Sequence, residues 1–389
     1  MALDLSKTAV QLDKMADSLK DSDGVSDDRL ISASEFLAKF ELHQFEKKRS
    51  GSLNVFQWST PDFPIKPIES IPPPENPINY VAIGVDGSHI DVNRHIPISC
   101  FLINTGIVTL KYGMDPVAEL ESLPKLFSGH SDTILTDPAN PHRYVSIQGT
   151  ILSAIRAVHE IEALVQKLQT EEILDSTLPV IGLMDGTLVM LDLLRAGIQD
   201  FVIHSVLEER FVKALEDIRG YAENREVIVA SYISLPGSTE IMDGIRLLAC
   251  PYDTADCRNH CRDKGVDTRP CDASALGLKD REVFNQSLGD GFRTPIFGSS
   301  SQLVKTYYGN SEVKFFYMNV GAEIARVEVP VWVAENSSKL DLVHSMVLDQ
   351  CKLGSGYPVC LIEAHEQAVI STADRAYFLN LVEDALEAR

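Results

Sequence analysis

Two short stretches of the 389-residue chain end an apolar run in Asp-Gly followed by a hydroxyl residue: GVDGSHI at 84–90 and LMDGTLV at 183–189. Each alone reads equally well as an ordinary strand-to-turn exit, because Asp-Gly is a common turn dipeptide. Together they bring Asp86 and Asp185 to the ends of hydrophobic strands, where a carboxylate is costly unless it is paired or bound to a cation. Strand ends of one sheet are also where ligands and metals usually bind. A third acid comes from the amphipathic segment between them. At 100° per residue, Ile151, Ile155, Val158, Ile161, Val165 and Leu168 define one apolar face. Glu162 falls within that face and is the expected third carboxylate, whereas Glu160 projects roughly opposite it and reads as an ordinary solvated charge. Clustered carboxylates repel each other, and hard divalent cations relieve that repulsion. Oxygen donors of this kind suit Mg²⁺ or Mn²⁺. Two such ions about 3.5–4 Å apart would activate a water against a phosphodiester. One rival reading fails at Leu183, because a phosphatase of the haloacid dehalogenase type needs its nucleophilic aspartate two residues before Asp185.

Four of the seven cysteines cluster as Cys250, Cys257, Cys261 and Cys271, spaced C-x6-C-x3-C-x9-C with His260 inside. In a reducing compartment such a cluster favours a metal over disulfides. Structural Zn²⁺, an iron–sulfur cluster and no metal at all stay open, since no CxxC pair is present. Arg258, Arg262, Lys264 and Arg269 add local positive charge, which reads as a DNA or partner contact or as a solvated loop. Cys100, Cys351 and Cys360 sit in apolar segments and read as buried thiols.

The elements that must position these residues are legible in outline. Residues 1–60 read as a helical region with a turn at DSDGVSDD (21–28). Residues 61–77 carry seven prolines and read as an extended connector. Residues 78–385 read as one large domain in which strands mix with helices, interrupted by a polar, Cys-containing insertion at about 250–300. A turn is expected at Asn104-Thr105-Gly106, making 96–110 a hairpin or part of a meander. Residues 147–169 form the clearest helix, 179–189 a strand, 225–234 another, and 313–320 and 325–334 two more. The chain ends in two helical pieces. The fold class is α/β, a mixed sheet flanked by helices with helical N- and C-terminal elements.

Composition limits the partners. A formal net charge of −21 argues against a broadly basic surface and unassisted grip on nucleic acid, though not against a local basic channel or metal held on carboxylates. No apolar run approaches the roughly 18 residues of a membrane span. The N-terminus lacks a hydrophobic signal core, so the expected location is cytoplasmic.

In order, GVDGSHI, the acidic helix around Glu162, LMDGTLV, VIVASYISLPGSTEIMDGIR and GYPVCLIEAHEQAVISTADRAYF resemble the NurA nuclease family over most of residues 75–380. The resemblance implies an RNase H-like core with carboxylates at adjacent strand ends. It implies a Mn²⁺-dependent DNA nuclease with single-strand endonuclease and 5′→3′ exonuclease activity, acting in DNA-end resection with a HerA-type hexameric ATPase, and a homodimer. By position it carries Asp86 and Asp185 onto the motif aspartates, Glu162 onto the helix acid with Glu160 the fallback, and Tyr357 and His365 onto the family's C-terminal Tyr and His. His365 would ligate metal or touch the scissile phosphate, and Tyr357 would stack on or hydrogen-bond to the strand. Asp374 is either a further ligand or a helix N-terminal acid. Two departures stand out: DGT in place of the commoner DGS, and the 250–271 insertion. A reading from another class is a non-catalytic partner subunit that regulates a DNA translocase.

Overall fold

The computed structural model describes residues 5–91, 99–175, 177–194 and 197–387. In chain order the strands are β1 (Tyr80–Asp91), β2 (Cys100–Tyr112), β3 (Val117–Ser128), β4 (Ile134–Asp137), β5 (Asn140–Ser146), β6 (Val180–Asp185), β7 (Val227–Ile233), β8 (Phe297–Gly298), β9 (Val313–Asn319) and β10 (Ile324–Pro330). The chain forms two compact units. One comprises residues 1–71, 235–289 and 294–300, and the larger one comprises 72–234, 290–293 and 301–389. The N-terminal helical region and most of the Cys-containing insertion therefore fall in the same unit.

In the smaller unit the helix Leu5–Ala38 runs unbroken through the expected turn at 21–28. One glycine inside a helix costs about 1 kcal/mol, less than ending the helix and nucleating another. The helix Leu42–Ser52 follows, and Phe40, Phe45 and Phe63 meet at centroid distances of 4.8–5.5 Å. β8 bridges to Asp62 through backbone bonds in both directions, and its Phe297 adds an edge contact to Phe63 at 5.7 Å.

Within the larger unit the strand order is β3-β2-β1-β6-β7-β10-β9. β1, β2 and β3 form an antiparallel meander, β1, β6 and β7 run parallel, and β10 is antiparallel to both β7 and β9. This is the expected RNase H-like arrangement, a mixed sheet flanked by helices. Side chains alternate across a strand, so the apolar run at the start of β1 feeds both layers. Val81, Ile83 and Val85 enter a core with Ile155, Val158 and Ile161 of the helix Thr150–Leu168. Gly84 faces the other way, where the helix Val359–Ala368 packs so closely that an added Cβ would stand 2.2 Å from the Cys360 carbonyl oxygen.

The meander expected after the first aspartate is present, but the turn at Asn104-Thr105-Gly106 is not, and residues 96–98 lie outside the described residues. β2 is one continuous strand, with Asn104 opposite Ser88 and Gly106 opposite Asp86. Its turn-like residues serve the neighbouring helix instead. Asn104 Nδ2 donates to the Gln367 and Ala368 carbonyls at 3.0 Å each, and Ser88 Oγ also donates to Ala368 O. Those bonds satisfy carbonyls that a helix C-terminus leaves without partners. At Gly106 an added Cβ would lie 2.1 Å from the Ala364 carbonyl oxygen, so only glycine allows this approach.

Candidate active site

Parallel pairing of Val85 with Met184 puts the next residues, Asp86 and Asp185, side by side at one end of the sheet. By strand alternation both project to the face that carries the helix Val359–Ala368. The Gly354–Pro358 turn and that helix supply two groups to them. His365 Nδ1 lies 2.7 Å from Asp86 Oδ2, and Tyr357 donates its hydroxyl to Asp185 Oδ1 at 2.7 Å. The Tyr357 ring rests edge-on against Tyr232 at 5.1 Å, and Tyr232 in turn donates to Glu323 at 2.8 Å. Burial, and then the Asp185 charge, push the Tyr357 hydroxyl upward, so it stays a protonated donor. Asp86 has a 13% exposed side chain and also accepts from Gly87 N at 2.7 Å, whereas the His365 side chain is 58% exposed.

The two helix acids exchange their expected positions. Glu160, read from the helical wheel as a solvent residue, is only 3% exposed. It belongs to the i, i+4 ridge Arg156–Glu160–Leu164 that faces the sheet. Leu164 lies over Gly182, and Glu160 Oε1 lies where a Cβ on Gly87 would be, 2.4 Å away. Glycine at 87 thus lets the carboxyl reach the strand ends from the opposite layer. Burial first, then the charges of Asp86 and Asp185, raise Glu160 to about 7, with Arg156 opposing. Arg156 Nε forms an ion pair with Glu160 Oε1 at 3.2 Å without hydrogen-bond geometry, which leaves that buried oxygen without a hydrogen-bond partner, while Arg156 Nη1 donates to the Gly87 carbonyl at 2.9 Å.

Glu162 does not join this group. It accepts two bonds from Arg210, from Nε at 2.8 Å and Nη2 at 2.7 Å, on the neighbouring helical stretch, which is wide-turned over Ile203–Val212. The wheel identified an inward direction, but the helix has two inward directions, one toward the sheet and one toward this helix. Asp374 is exposed and tied to Ser371, whose backbone N–H and hydroxyl both donate to it, at 3.0 and 2.6 Å. That matches the helix N-terminal alternative.

One contributor gave no signal in the sequence. Glu328 of β10, 2% exposed, accepts from the Thr187 hydroxyl at 2.7 Å, Leu188 N at 2.9 Å and Arg326 Nε at 2.9 Å. It fixes the turn after Asp185, so the hydroxyl of the second Asp-Gly-Thr motif is a structural donor. Nothing near Glu328 in the chain reveals this, because its partners in that turn, Thr187 and Leu188, lie about 140 residues away.

Among the described residues no three His, Cys, Asp or Glu side chains already stand as a ligand set for an ion. The residue types at the strand ends nevertheless fit a hard cation: Asp86 and Asp185 lie side by side, the charges of both reach Glu160, and Glu160 Oε1 is buried with no hydrogen-bond partner. The four clustered cysteines fit less well. Cys250, Cys257, Cys261 and Cys271 line one pocket with Trp58 and Arg246, and all are free thiols. Cys271 Sγ, however, is engaged by Arg246 Nη1 at 3.7 Å, and burial raises both it and Cys257. Among the described residues the four thiols do not stand as a ligand set, and the expectation of zinc or an iron–sulfur cluster finds no support.

Comparison with solved structures gives distant matches. The NurA nuclease from Sulfolobus solfataricus matches at a TM-score of 0.49 and 13% identity, covering 100% of this chain and 98% of the other. A NurA bound to dAMP and manganese matches at 0.34 and 12%, covering 78% and 87%. Endonuclease V from Ciona intestinalis with an inosine-containing DNA matches at 0.31 and 11%, covering 75% and 84%. None of the curated proteins compared with the chain matches it. The family model described as the NurA domain matches residues 80–370, three quarters of the sequence and the whole of the segment that carries Asp86, Glu160, Asp185, Tyr357 and His365. The chain belongs to the NurA domain family.

Proposed function

We propose that the protein is a metal-dependent DNA nuclease that hydrolyses phosphodiester bonds at the Asp86–Glu160–Asp185 edge. Membership of the NurA domain family supports a nuclease. The observation that carries the site is Glu160, a buried carboxyl with an unbonded oxygen, raised to about 7 partly by two aspartates on adjacent strands. Such a group is costly to keep unless it binds a proton or a cation.

Asp86, Glu160 and Asp185 would hold Mn²⁺, with Mg²⁺ the alternative, and the ion supplies positive charge against the phosphate oxygens and Lewis acidity toward water. In this reading water attacks phosphorus and the bond to the 3′ oxygen breaks. Tyr357 keeps Asp185 in one orientation by donating to it. His365 orients Asp86 through Nδ1, and its exposed ring faces the substrate, where it contacts the scissile phosphate. Arg156 restrains Glu160 and anchors it to the Gly87 carbonyl.

The finer reading follows the family: single-strand endonuclease and 5′→3′ exonuclease activity, DNA-end resection with a HerA-type hexameric ATPase, and a cytoplasmic homodimer. No described helix is long and apolar enough to cross a membrane. The edge strand β3 supports self-association, since Leu120, Leu123 and Leu126 are 41–51% exposed along it.

The test is cleavage of 5′- and 3′-labelled single-stranded DNA with Mn²⁺, Mg²⁺ or EDTA, comparing wild type with Asp86→Ala. Cleavage that requires the metal and disappears in a folded Asp86→Ala protein is expected. Wild-type cleavage by that variant would remove the site. A folded wild type that cuts nothing under any condition would favour the partner-subunit reading.

A further inference from the structure

Three of the aspartates in the Cys-containing segment, Asp256, Asp267 and Asp272, are engaged within the smaller unit. Asp256 caps the short helix Cys257–His260, accepting from Asn259 N at 3.0 Å and Asn259 Nδ2 at 2.7 Å. Asp267 accepts from Arg29. Asp272 is buried and takes Arg246 Nη1 at 2.7 Å together with the backbone N–H groups of Asp267 and Arg269 at 2.9 and 3.3 Å. The cations of the same segment face outward together. Arg258, Arg262, Lys264 and Arg269 line one groove of about 470 Å³ with the Asn259 amide. Among the described residues no carboxylate lines it; Asp263, between Arg262 and Lys264 in sequence, does not. Arg269 is steadied over the Trp58 ring at 5.5 Å.

In a chain of net charge −21, four cations line one groove whose lining holds no carboxylate among the described residues. Arginine forks and a neighbouring amide suit phosphate oxygens, and contacts of this kind hold a strand by its backbone rather than by its bases. We propose that this groove binds the sugar–phosphate backbone of single-stranded nucleic acid and secures the strand by charge, independently of sequence. The choice of a polynucleotide over another polyanion rests on the nuclease reading of the larger unit.

The test uses the full chain in EDTA, so that binding is read without cleavage, and a fluorescent oligo(dT) of about 30 nucleotides titrated across a range of NaCl. The double substitution Arg258→Ala with Arg262→Ala is expected to weaken binding roughly tenfold. It should also lower the slope of log K against log salt by about 1.4, since each phosphate that a protein neutralises on a single strand adds about 0.7 to that slope. The double substitution to Lys keeps the charge and is expected to retain most of the affinity, which separates charge from a folding defect. Unchanged affinity and slope in the Ala variant would overturn the proposal. So would equal loss in the Lys variant, or poly-glutamate competing as well as DNA at equal charge, which would point to an acidic polypeptide instead. If the wild type binds DNA through this groove but does not cleave it with Mn²⁺, the nuclease reading fails and the groove stands.

Discussion

At the scale of single residues, the decisive distinction is between Glu160 and Glu162, two positions apart on one helix. Glu162 forms a two-point ion pair with Arg210 on a partly exposed surface, an interaction worth at most about 1 kcal/mol. Glu160 is buried beside two aspartates. Glu160→Gln is therefore expected to lower Mn²⁺-dependent DNA cleavage by 100-fold or more, whereas Glu162→Gln stays within a few-fold of wild type; the reverse ordering would place the third acid on Glu162. The same variant has a signature in stability. A carboxyl raised from 4.5 to about 7 in the folded state binds its proton more tightly there than when unfolded. Its contribution is fully present below pH 4.5 and is lost as pH rises through about 7. In EDTA, unfolding free energy of the wild type should fall between those pH values relative to Glu160→Gln, by up to about 3 kcal/mol, because each tenfold difference in proton affinity corresponds to about 1.36 kcal/mol. Parallel stability–pH curves for the two proteins would contradict the assignment.

At the scale of elements, the site depends on how closely the helix Val359–Ala368 approaches the sheet. Gly84 and Gly106 remove the side chains that would collide with its backbone, and Asn104 and Ser88 hold its C-terminal carbonyls. That docking brings His365 to Asp86. Gly84→Ala would set a Cβ 2.2 Å from a backbone oxygen that has no flexible end to move. It is expected to cost about 1–3 kcal/mol in urea unfolding and to reduce cleavage beyond what lost stability explains. Gly220, exposed in the helix Lys213–Ala222 with no atom within 4 Å of an added Cβ, is the control. Gly220→Ala is expected to be neutral or stabilising by up to about 1 kcal/mol. Equal effects at both positions would argue against a packing role for Gly84. These contacts also explain the misread turn at 104–106: Asn, Thr and Gly carry turn propensity, but here a small residue and an amide are required by a helix some 260 residues away in the chain.

At the scale of the whole molecule, a cation held at the strand ends would couple to global stability, because an ion that binds the folded state alone raises its unfolding free energy. Mn²⁺ at about 100 times its dissociation constant should raise wild-type stability by about 2.7 kcal/mol and leave Asp86→Ala unmoved. An equal rise in both proteins, read as thermal midpoints with and without EDTA, would locate the ion elsewhere. The acidic charge of the chain bears on the same question. With −21 overall, a nuclease of this chain would have to neutralise substrate phosphate with bound metal and local basic surface rather than with the molecule as a whole.

The sequence by itself determined the two aspartate-bearing strands, the amphipathic helix between them, the helical termini and the mixed α/β class, because each depends on local periodicity and on residue chemistry within a few positions. Tyr357 and His365 came only from the family resemblance, and the structure bonds them to Asp185 and Asp86. Tertiary structure decided which helix acid meets the aspartates, that the hydroxyls of Ser88 and Thr187 serve packing, and that Glu328 closes the turn after Asp185. It also decided that Asn104 and Gly106 belong to a strand. Each of these depends on a partner from a distant part of the chain. A helical wheel shows which side of a helix turns inward, but not which of two neighbours waits there, and that neighbour determines whether a buried carboxyl meets an arginine or two further carboxylates.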